Sequence, residues 1–321
     1  MDVISDSLGL AGLVPVIKLA SPDKAVPLGR ALAAGGIHVM EVTFRSDAAE
    51  QSIRRLRSEL PETLVGAGTV LTKAQAEQAQ AAGAAFIVSP GWSEEVVDYC
   101  LERGLPVYPG VANADGVMRA VAKGLSVLKF FPAEASGGIA MLDALAGPFA
   151  GVKFIPTGGI DPANLAAYAS KEPVLAIGGS WMVKPDLVEA SDWGAVTNLT
   201  RQAVLALHGF RLAHVGINGT DAAEGRAAAA LLKALFGLTG EEGNTSIMVG
   251  PDKSLELTLS PFPGAKGHLA IGVHNIERAV AYLARLGVKT VENSAKSDGK
   301  RLKSVYLELE LNGFALHLLR V

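Results

Sequence analysis

The chain has 321 residues, of which 49% are hydrophobic and 19% charged, and its formal net charge is -3. This composition is typical of a globular protein with a large core, and because nothing in the net charge suggests one, we expect no nucleic-acid or membrane partner. The single cysteine excludes an internal disulfide framework. Because the N-terminus lacks a signal-peptide basic region and no apolar run approaches ~18 residues, we expect a cytoplasmic protein.

Short β-branched runs alternate with Ala-rich amphipathic segments through the first two thirds of the chain. This alternation predicts a parallel βα architecture, and eight units in about 200 residues predict a (β/α)8 TIM barrel. A doubly wound open sheet is the alternative, although 66–69 lacks the third glycine of a dinucleotide fingerprint. The predicted strands are 13–18, 37–43, 64–69, 85–89, 105–109, 126–131, 153–157 and 174–178. The predicted helices are 24–34, 47–59, 73–82, 93–103, 114–122, 138–146 and 162–170.

The sixth predicted strand carries Lys129 in the middle of an apolar run. Burial of an unpaired ammonium is costly, so such a lysine tends to lose its proton. The neutral amine is a nucleophile that can form a Schiff base with a ketone. Alternation places Val127, Lys129 and Phe131 on one face of this strand. The alternative is a lysine at a strand end whose ammonium reaches water.

Chemistry in (β/α)8 barrels lies at the C-terminal ends of the strands. Glu41 lies near the end of the second strand, where it could exchange protons if it faces Lys129. The alternative is an ion pair that only neutralises two buried charges. The seventh and eighth strands end in glycine pairs, 158–159 and 178–179, the second followed by Ser180. Glycines let backbone N–H groups approach a phosphate, and the alternative is that they only form tight turns.

Two segments carry a specific family resemblance: 36–45, GIHVMEVTFR, and 124–137 around Lys129. They resemble the class I aldolases that act on 2-keto-3-deoxy-6-phosphogluconate (KDPG) and 4-hydroxy-2-oxoglutarate, over residues 8–207. The resemblance implies that Lys129 forms the Schiff base and that Glu41 is the acid/base. It also implies a homotrimer and a barrel without a cofactor. The substrate contacts that it implies are Arg45 and Thr69 for the carboxylate, Gly158, Gly159, Gly179 and Ser180 for the phosphate, and Pro90 and Phe131.

This resemblance implies cleavage of KDPG to pyruvate and glyceraldehyde 3-phosphate, and of 4-hydroxy-2-oxoglutarate to pyruvate and glyoxylate. A 6-phosphogalactonate-type aldolase is the alternative, because the contacts to substrate hydroxyls are not visible in the sequence. We expect this barrel to span residues 1–209 and a second, smaller α+β domain to span 210–321.

The last third contains a weak internal repeat of two βαβββ units. The third strand of the first unit has no clear position in the sequence. The pattern resembles the vicinal oxygen chelate fold of glyoxalases and extradiol dioxygenases. The predicted elements of the first unit are a strand at 214–218, a helix at 221–236 and strands at 245–249 and 254–260. Those of the second are a strand at 268–273, a helix at 276–286 and strands at 288–292, 302–310 and 314–319.

The second resemblance implies a divalent metal ion held by His214, Glu256, His268 and His317. The last position is more often glutamate in that family. Imidazole and carboxylate ligands suit Zn²⁺, Ni²⁺, Fe²⁺ or Mn²⁺. With a metal, the domain could be a second enzyme for a small oxo compound. Without one, it is a non-catalytic module that binds a metabolite or stabilises an oligomer.

Overall fold

The structure is a computed structural model that describes residues 2–299 and 301–321. The chain divides into two compact units, the first ending at Leu207 and the second beginning at His208. Within the described residues, no helix is long and apolar enough to cross a bilayer.

Strands and helices alternate through the first unit. The strands are β1 Leu13–Ile17, β2 Val39–Thr43, β3 Leu64–Gly68, β4 Ile87–Val88, β5 Val107–Tyr108, β6 Gly110–Val111, β7 Val127–Phe130, β8 Lys153–Pro156 and β9 Ile177–Gly179. The helices are α1 Val3–Ala11, α2 Ala25–Ala34, α3 Ala49–Glu59, α4 Lys73–Ala81, α5 Glu94–Glu102, α6 Ala114–Ala122, α7 Gly138–Ala146, α8 Leu165–Ala169, α9 Pro185–Ala190 and α10 Trp193–His208.

The paired strands of the first unit are parallel, and most of them pair with the strand that precedes or follows them in the chain. β1 pairs with β2 on one side and with β9 on the other. The order runs β5-β4-β3-β2-β1-β9, and β6-β7-β8 form a second ladder. Isolated parallel bridges from Phe154 to Val174 and from Thr157 to Gly178 join β8 to the β9 segment. The result is a curled parallel α/β sheet that is consistent with an aldolase barrel.

The fifth predicted strand, 105–109, is shorter in the structure: β5 covers only Val107–Tyr108, and after Pro109 a further strand, β6, covers Gly110–Val111. Proline cannot donate a backbone N–H to a ladder, which explains the break. Helix α1 was not predicted. The Asp2 side chain begins it by accepting a hydrogen bond from the Ser5 amide at 2.9 Å, as N-cap aspartates do.

The second unit repeats the order strand, helix, three strands. Its elements are β10 Arg211–Ile217, α11 Ala222–Phe236, β11 Gly240–Glu242, β12 Ser246–Val249, β13 Leu255–Thr258, β14 Gly267–Val273, α12 Ile276–Arg285, β15 Lys296–Ser297, β16 Leu302–Leu311 and β17 Phe314–Arg320. They form one mixed sheet in the order β11-β12-β13-β10-β14-β17-β16-β15. β11 is the strand that the sequence left without a position. The strand predicted at 288–292 is wrong, because it is reduced to one bridge from Thr290 to Leu307.

The two helices of the second unit pack on the sheet through apolar side chains. Ile276 and Ala279 of α12 lie in one buried cluster with Leu316 and Leu318 of β17. Successive residues of a strand point to opposite faces, so His317, between these leucines, lies on the other face. That face is therefore the one that carries the histidines.

Candidate functional site

Two ionisable side chains meet in the first unit. Lys129 on β7 places its Nζ 3.3 Å from Oε1 of Glu41 on β2. Their side chains are only 6% and 4% exposed. The Nζ also lies 5.3 Å from the centroid of the Phe131 ring. The geometry therefore presents an amine with one carboxylate in hydrogen-bond reach and an aromatic wall beside it.

Glycines on β3 provide the space for this pair. A Cβ at Gly68 would lie 1.9 Å from Oε1 of Glu41, and one at Gly66 would lie 2.2 Å from the Phe86 ring. A side chain at either position would collide with atoms that line the interior of the sheet. The glycines of this segment, which lacks the third glycine of a dinucleotide fingerprint, thus have a packing role next to Glu41.

The residues expected at the carboxylate end follow the ends of β2 and β3. Thr43 donates a hydrogen bond to the Ile17 carbonyl at 2.7 Å and accepts one from Nε of Arg45 at 3.3 Å. Arg45 is otherwise exposed. Thr69 has φ +54°, a left-handed conformation that β-branched residues rarely adopt. Backbone strain of this kind collects at functional sites.

The residues expected at the phosphate end follow β8 and β9. Gly158 and Gly159 have φ +97° and +79°, and the Gly158 carbonyl accepts a hydrogen bond from the Glu134 amide at 3.1 Å. The Tyr168 hydroxyl donates to the Glu134 carboxylate, which ties this loop to α8. A Cβ at Gly179 would lie 1.8 Å from the Trp181 ring. Neither loop could carry larger side chains without moving its neighbours.

The structure places both Glu41 and Phe131 beside the Lys129 amine. The other expected residues lie at the same end of parallel strands, where β4 ends close to β6: the position of a Gly110 Cβ is 2.1 Å from the Pro90 carbonyl. One further charged residue at this end of the first unit was not singled out from the sequence. Lys18 follows β1 directly and is exposed between two buried residues. The sequence offered a signal, since a charge ended an apolar run, but we assigned the residue only to the strand.

Comparisons with known proteins identify the family of the first unit. The sequence profile named "KDPG and KHG aldolase" matches residues 4–199. The chain belongs to the KDPG and KHG aldolase family. It is 50% identical over 204 residues to the 2-dehydro-3-deoxy-phosphogluconate aldolase of Treponema pallidum, covering 64% of this chain and 97% of that protein. It is 46% identical over 192 residues to the KHG/KDPG aldolase of Escherichia coli, covering 60% and 90%.

A solved family structure has the same architecture. The KDPG aldolase of Legionella pneumophila superposes with a TM-score of 0.61 at 40% identity, covering 62% of this chain and 97% of that chain. That structure holds pyruvate as a covalent carbinolamine intermediate. The aldolase profile ends at residue 199, so the unit that begins at His208 lies outside the family match.

The second unit of this family member holds a cluster of imidazoles. Ring nitrogens of His214, His268 and His317 all lie within 4.8 Å of one another. They belong to β10, β14 and β17, which are neighbours in the sheet. Glu256 Oε2, on β13, lies 3.0 Å from Nε2 of His214 and 2.9 Å from Nε2 of His268. The structure thus brings together the four residues that the sequence singled out.

The charges in this cluster are consistent with ligand groups. Burial alone would raise the pKa of Glu256, but hydrogen bonds from His214, His268 and Ser246 outweigh burial and hold the pKa below its usual range. Burial, with a contribution from the two other histidines, lowers the pKa of His317 to about 4. A neutral imidazole and an ionised carboxylate are the forms that bind metal ions.

Several buried ring nitrogens of this cluster have no side-chain hydrogen-bond partner within the described part of the chain. Among the described residues, neither ring nitrogen of His317 has a side-chain hydrogen-bond partner, and Nδ1 of His268 has none. Unpaired buried nitrogens are costly unless a ligand satisfies them. A Cβ at Gly216 would lie 2.1 Å from the His268 ring, so glycine there makes room for the imidazole.

Two aromatic rings cover the histidine cluster and were missed in the sequence. Phe262 stacks on His268 with centroids 5.7 Å apart, and Tyr306 stacks on His317 at 5.0 Å. Burial raises the pKa of Tyr306 to about 12, so its hydroxyl stays protonated near neutral pH. The hairpin of β16 and β17 pairs Tyr306 with His317, a register that no local pattern revealed.

Proposed function

We propose that this chain is a class I aldolase that cleaves KDPG to pyruvate and glyceraldehyde 3-phosphate. We propose that it also cleaves 4-hydroxy-2-oxoglutarate to pyruvate and glyoxylate. The observation that carries this proposal is the buried pair of Lys129 and Glu41, whose Nζ and Oε1 are 3.3 Å apart. Membership of the KDPG and KHG aldolase family supports the substrate class.

In the first step, the Lys129 amine adds to the C2 ketone of the substrate. Loss of the C2 oxygen as water gives an iminium ion that joins C2 to Nζ. Glu41 is close enough to exchange a proton with the nitrogen during this step. Burial of both groups restricts water, which favours the iminium over its hydrolysis.

In the second step, Glu41 takes the proton of the C4 hydroxyl, directly or through a water molecule. The C3–C4 bond breaks, its electron pair moves into the iminium, and the C4 end leaves as the aldehyde. The enamine then takes a proton at C3, and water releases pyruvate from Lys129. Glu41 can serve in both proton transfers of this step, because the proton that it takes from the C4 hydroxyl as a base can be returned to C3 of the enamine when it acts as an acid.

We infer that the curled sheet closes into a (β/α)8 barrel with Arg45, Thr69, Pro90 and Phe131 at its mouth. Pairing of β1 with both β2 and β9 supports closure. Arg45 and Thr69 are proposed to bind the carboxylate. Gly158, Gly159, Gly179 and Ser180 are proposed to bind the phosphate. The resemblance also implies a homotrimer, which light scattering of the purified protein tests.

Borohydride trapping tests the Schiff base. Reduction in the presence of pyruvate should add a stable three-carbon group to Lys129 of the wild-type protein, detectable by peptide mass spectrometry. Lys129→Ala should fold, as judged by circular dichroism, but should lose cleavage and trapping by at least about a thousandfold. Near-normal turnover in this folded variant would rule out the assignment. A higher kcat/KM for 6-phosphogalactonate-type substrates would favour that alternative class.

We propose that the second unit is a vicinal oxygen chelate domain, 210–321, that binds a divalent ion through His214, Glu256, His268 and His317. The clustered ring nitrogens support this proposal. Three imidazoles and a carboxylate suit Zn²⁺, Ni²⁺, Fe²⁺ or Mn²⁺. A bound ion would act as a Lewis acid on a small oxo compound. The alternative is a metal-free binding or assembly module.

Metal content per chain distinguishes these two possibilities. The wild-type protein and a His214→Ala/His268→Ala variant are both purified without chelator. The metal content of each is then measured by inductively coupled plasma mass spectrometry. We expect close to one ion per wild-type chain and its loss in the variant, because two ligands are removed. Absence of metal after reconstitution with all four ions would leave the histidines structural. Aldolase activity of both proteins serves as the control for folding of the first unit.

A further inference from the structure

One positively charged side chain at the C-terminal ends of the strands, that of Lys18, has no role in the catalytic steps described above. Lys18 follows the last residue of β1, and its side chain is exposed between Ile17 and Leu19, each 1% exposed. Within the described part of the chain, no carboxylate forms an ion pair with Lys18. A cation that no protein group neutralises is available to an anionic ligand.

The strand register gives the direction of this lysine. Val16 is paired with Glu41 across β1 and β2. Residues paired across neighbouring parallel strands point to the same side, so Val16 faces the interior that Glu41 occupies. Lys18, two residues further along, faces the same side, one layer nearer to the C-terminal ends. The half-buried state of Val16 agrees with a position just below an open mouth.

Lys18 lies between the two ends of the proposed substrate site. On one side, Ile17 is paired with Val42, which places Lys18 level with Thr43, the partner of Arg45. On the other side, β1 pairs with β9, the strand that leads into Ser180. The lysine therefore stands between the residue proposed for the carboxylate and the loop proposed for the phosphate.

Among the residues proposed so far, the phosphate group of the substrate has no positively charged partner. Arg45 can balance the carboxylate. A phosphate monoester carries about −1.5 to −2 near neutral pH, whereas Gly158, Gly159, Gly179 and Ser180 offer only neutral donors. We propose that Lys18 binds the phosphate of KDPG and makes this enzyme prefer KDPG to the same 2-keto acid without its phosphate. This inference rests on the aldolase function proposed above.

Kinetics of Lys18→Met test this role with two substrates that differ only in the phosphate: KDPG and 2-keto-3-deoxygluconate. Loss of a charge-assisted contact should raise the KM for KDPG about tenfold with little change in kcat. The kcat/KM for the unphosphorylated compound should change less than about twofold. Lys18→Arg keeps the charge and should restore most of the affinity. Lys153→Met is the control for the loss of one positive charge, because Lys153 is the first residue of β8 and lies at the N-terminal end of that strand, away from the proposed substrate site.

Trapping of pyruvate with borohydride separates the phosphate role from a carboxylate role. Pyruvate has no phosphate, so Lys18→Met should trap it on Lys129 at the wild-type rate. An unchanged KM for KDPG would overturn the proposal. Equal losses on both substrates, with weaker pyruvate trapping, would also overturn it and move Lys18 to the carboxylate. Wild-type cleavage and trapping test the aldolase function independently of Lys18, so the two proposals fail in different ways.

Discussion

At the scale of single residues, the proposed catalytic pair depends on an absent side chain. Glu41 occupies the space that a Cβ of Gly68 would take, 1.9 Å from Oε1. The carboxylate can therefore extend across β3 and still reach Nζ of Lys129 at 3.3 Å. Catalytic groups lose rate steeply when they move by about 1 Å. Gly68 is thus a residue that positions the Glu41 carboxylate.

Gly68→Ala should lower kcat of KDPG cleavage by about a hundredfold, because the added methyl group displaces the Glu41 carboxylate. The KM should change little, since the phosphate and carboxylate contacts remain. Steady-state kinetics on KDPG and pyruvate trapping give the measurement. Gly151→Ala is the control, because a Cβ there meets nothing within 4 Å. A Gly68→Ala enzyme with wild-type kcat and wild-type stability would show that Glu41 needs no such space.

At the scale of elements, periodicity predicted most helices and strands of the first unit. Helices α6 and α7 begin and end at the predicted residues, 114–122 and 138–146. Short strands were less predictable, because β4, β5 and β6 have two residues each and depend on neighbours distant in the chain. Pro109 divides β5 from β6 for a local reason that the sequence did show.

The elements of the second unit show the same limit. The strand at 240–242 has the sequence Gly-Glu-Glu, which no strand propensity favours, and all three residues are exposed. It is a strand only because it pairs with β12 at the edge of the sheet. Tertiary pairing overrides local preference in such cases. The candidate ligands were predictable by position, whereas Phe262 and Tyr306 reached the cluster through a loop and a hairpin register.

At the scale of the whole molecule, the chain joins a unit that matches the aldolase family to a second unit that lies outside that match. The Treponema pallidum relative is covered over 97% of its length, yet the match takes up only 64% of this chain. The remainder has its own sheet and buried clusters. Each chain carries one copy of each unit. The stability of the second unit can therefore be measured in the same protein as the aldolase activity of the first.

A buried histidine predicts that the second unit is sensitive to acid. His208 is 3% exposed and stacks against Phe210 and Tyr282. Among the described residues, its Nδ1 has no hydrogen-bond partner. Burial, with nearby Arg278 and His274, lowers the pKa of His208 from 6.5 to about 3. The unfolded chain therefore binds a proton at this residue below pH 6.5, whereas the folded chain binds it only near pH 3.

The free energy of unfolding of the second unit should accordingly fall as the pH decreases from 7 towards 3. At pH 5 the contribution of His208 should be about 2 kcal/mol less favourable than at pH 7, by proton linkage. His208→Phe keeps an aromatic ring but removes the titrating group, so the stability of this variant should depend less on pH.

All three tryptophans, Trp92, Trp181 and Trp193, belong to the first unit. A urea transition seen by circular dichroism but not by tryptophan fluorescence therefore reports the second unit. If that transition shifts with pH equally in wild type and His208→Phe, the acid sensitivity comes from other groups, of which His317 is the first to test, in chelator-treated protein.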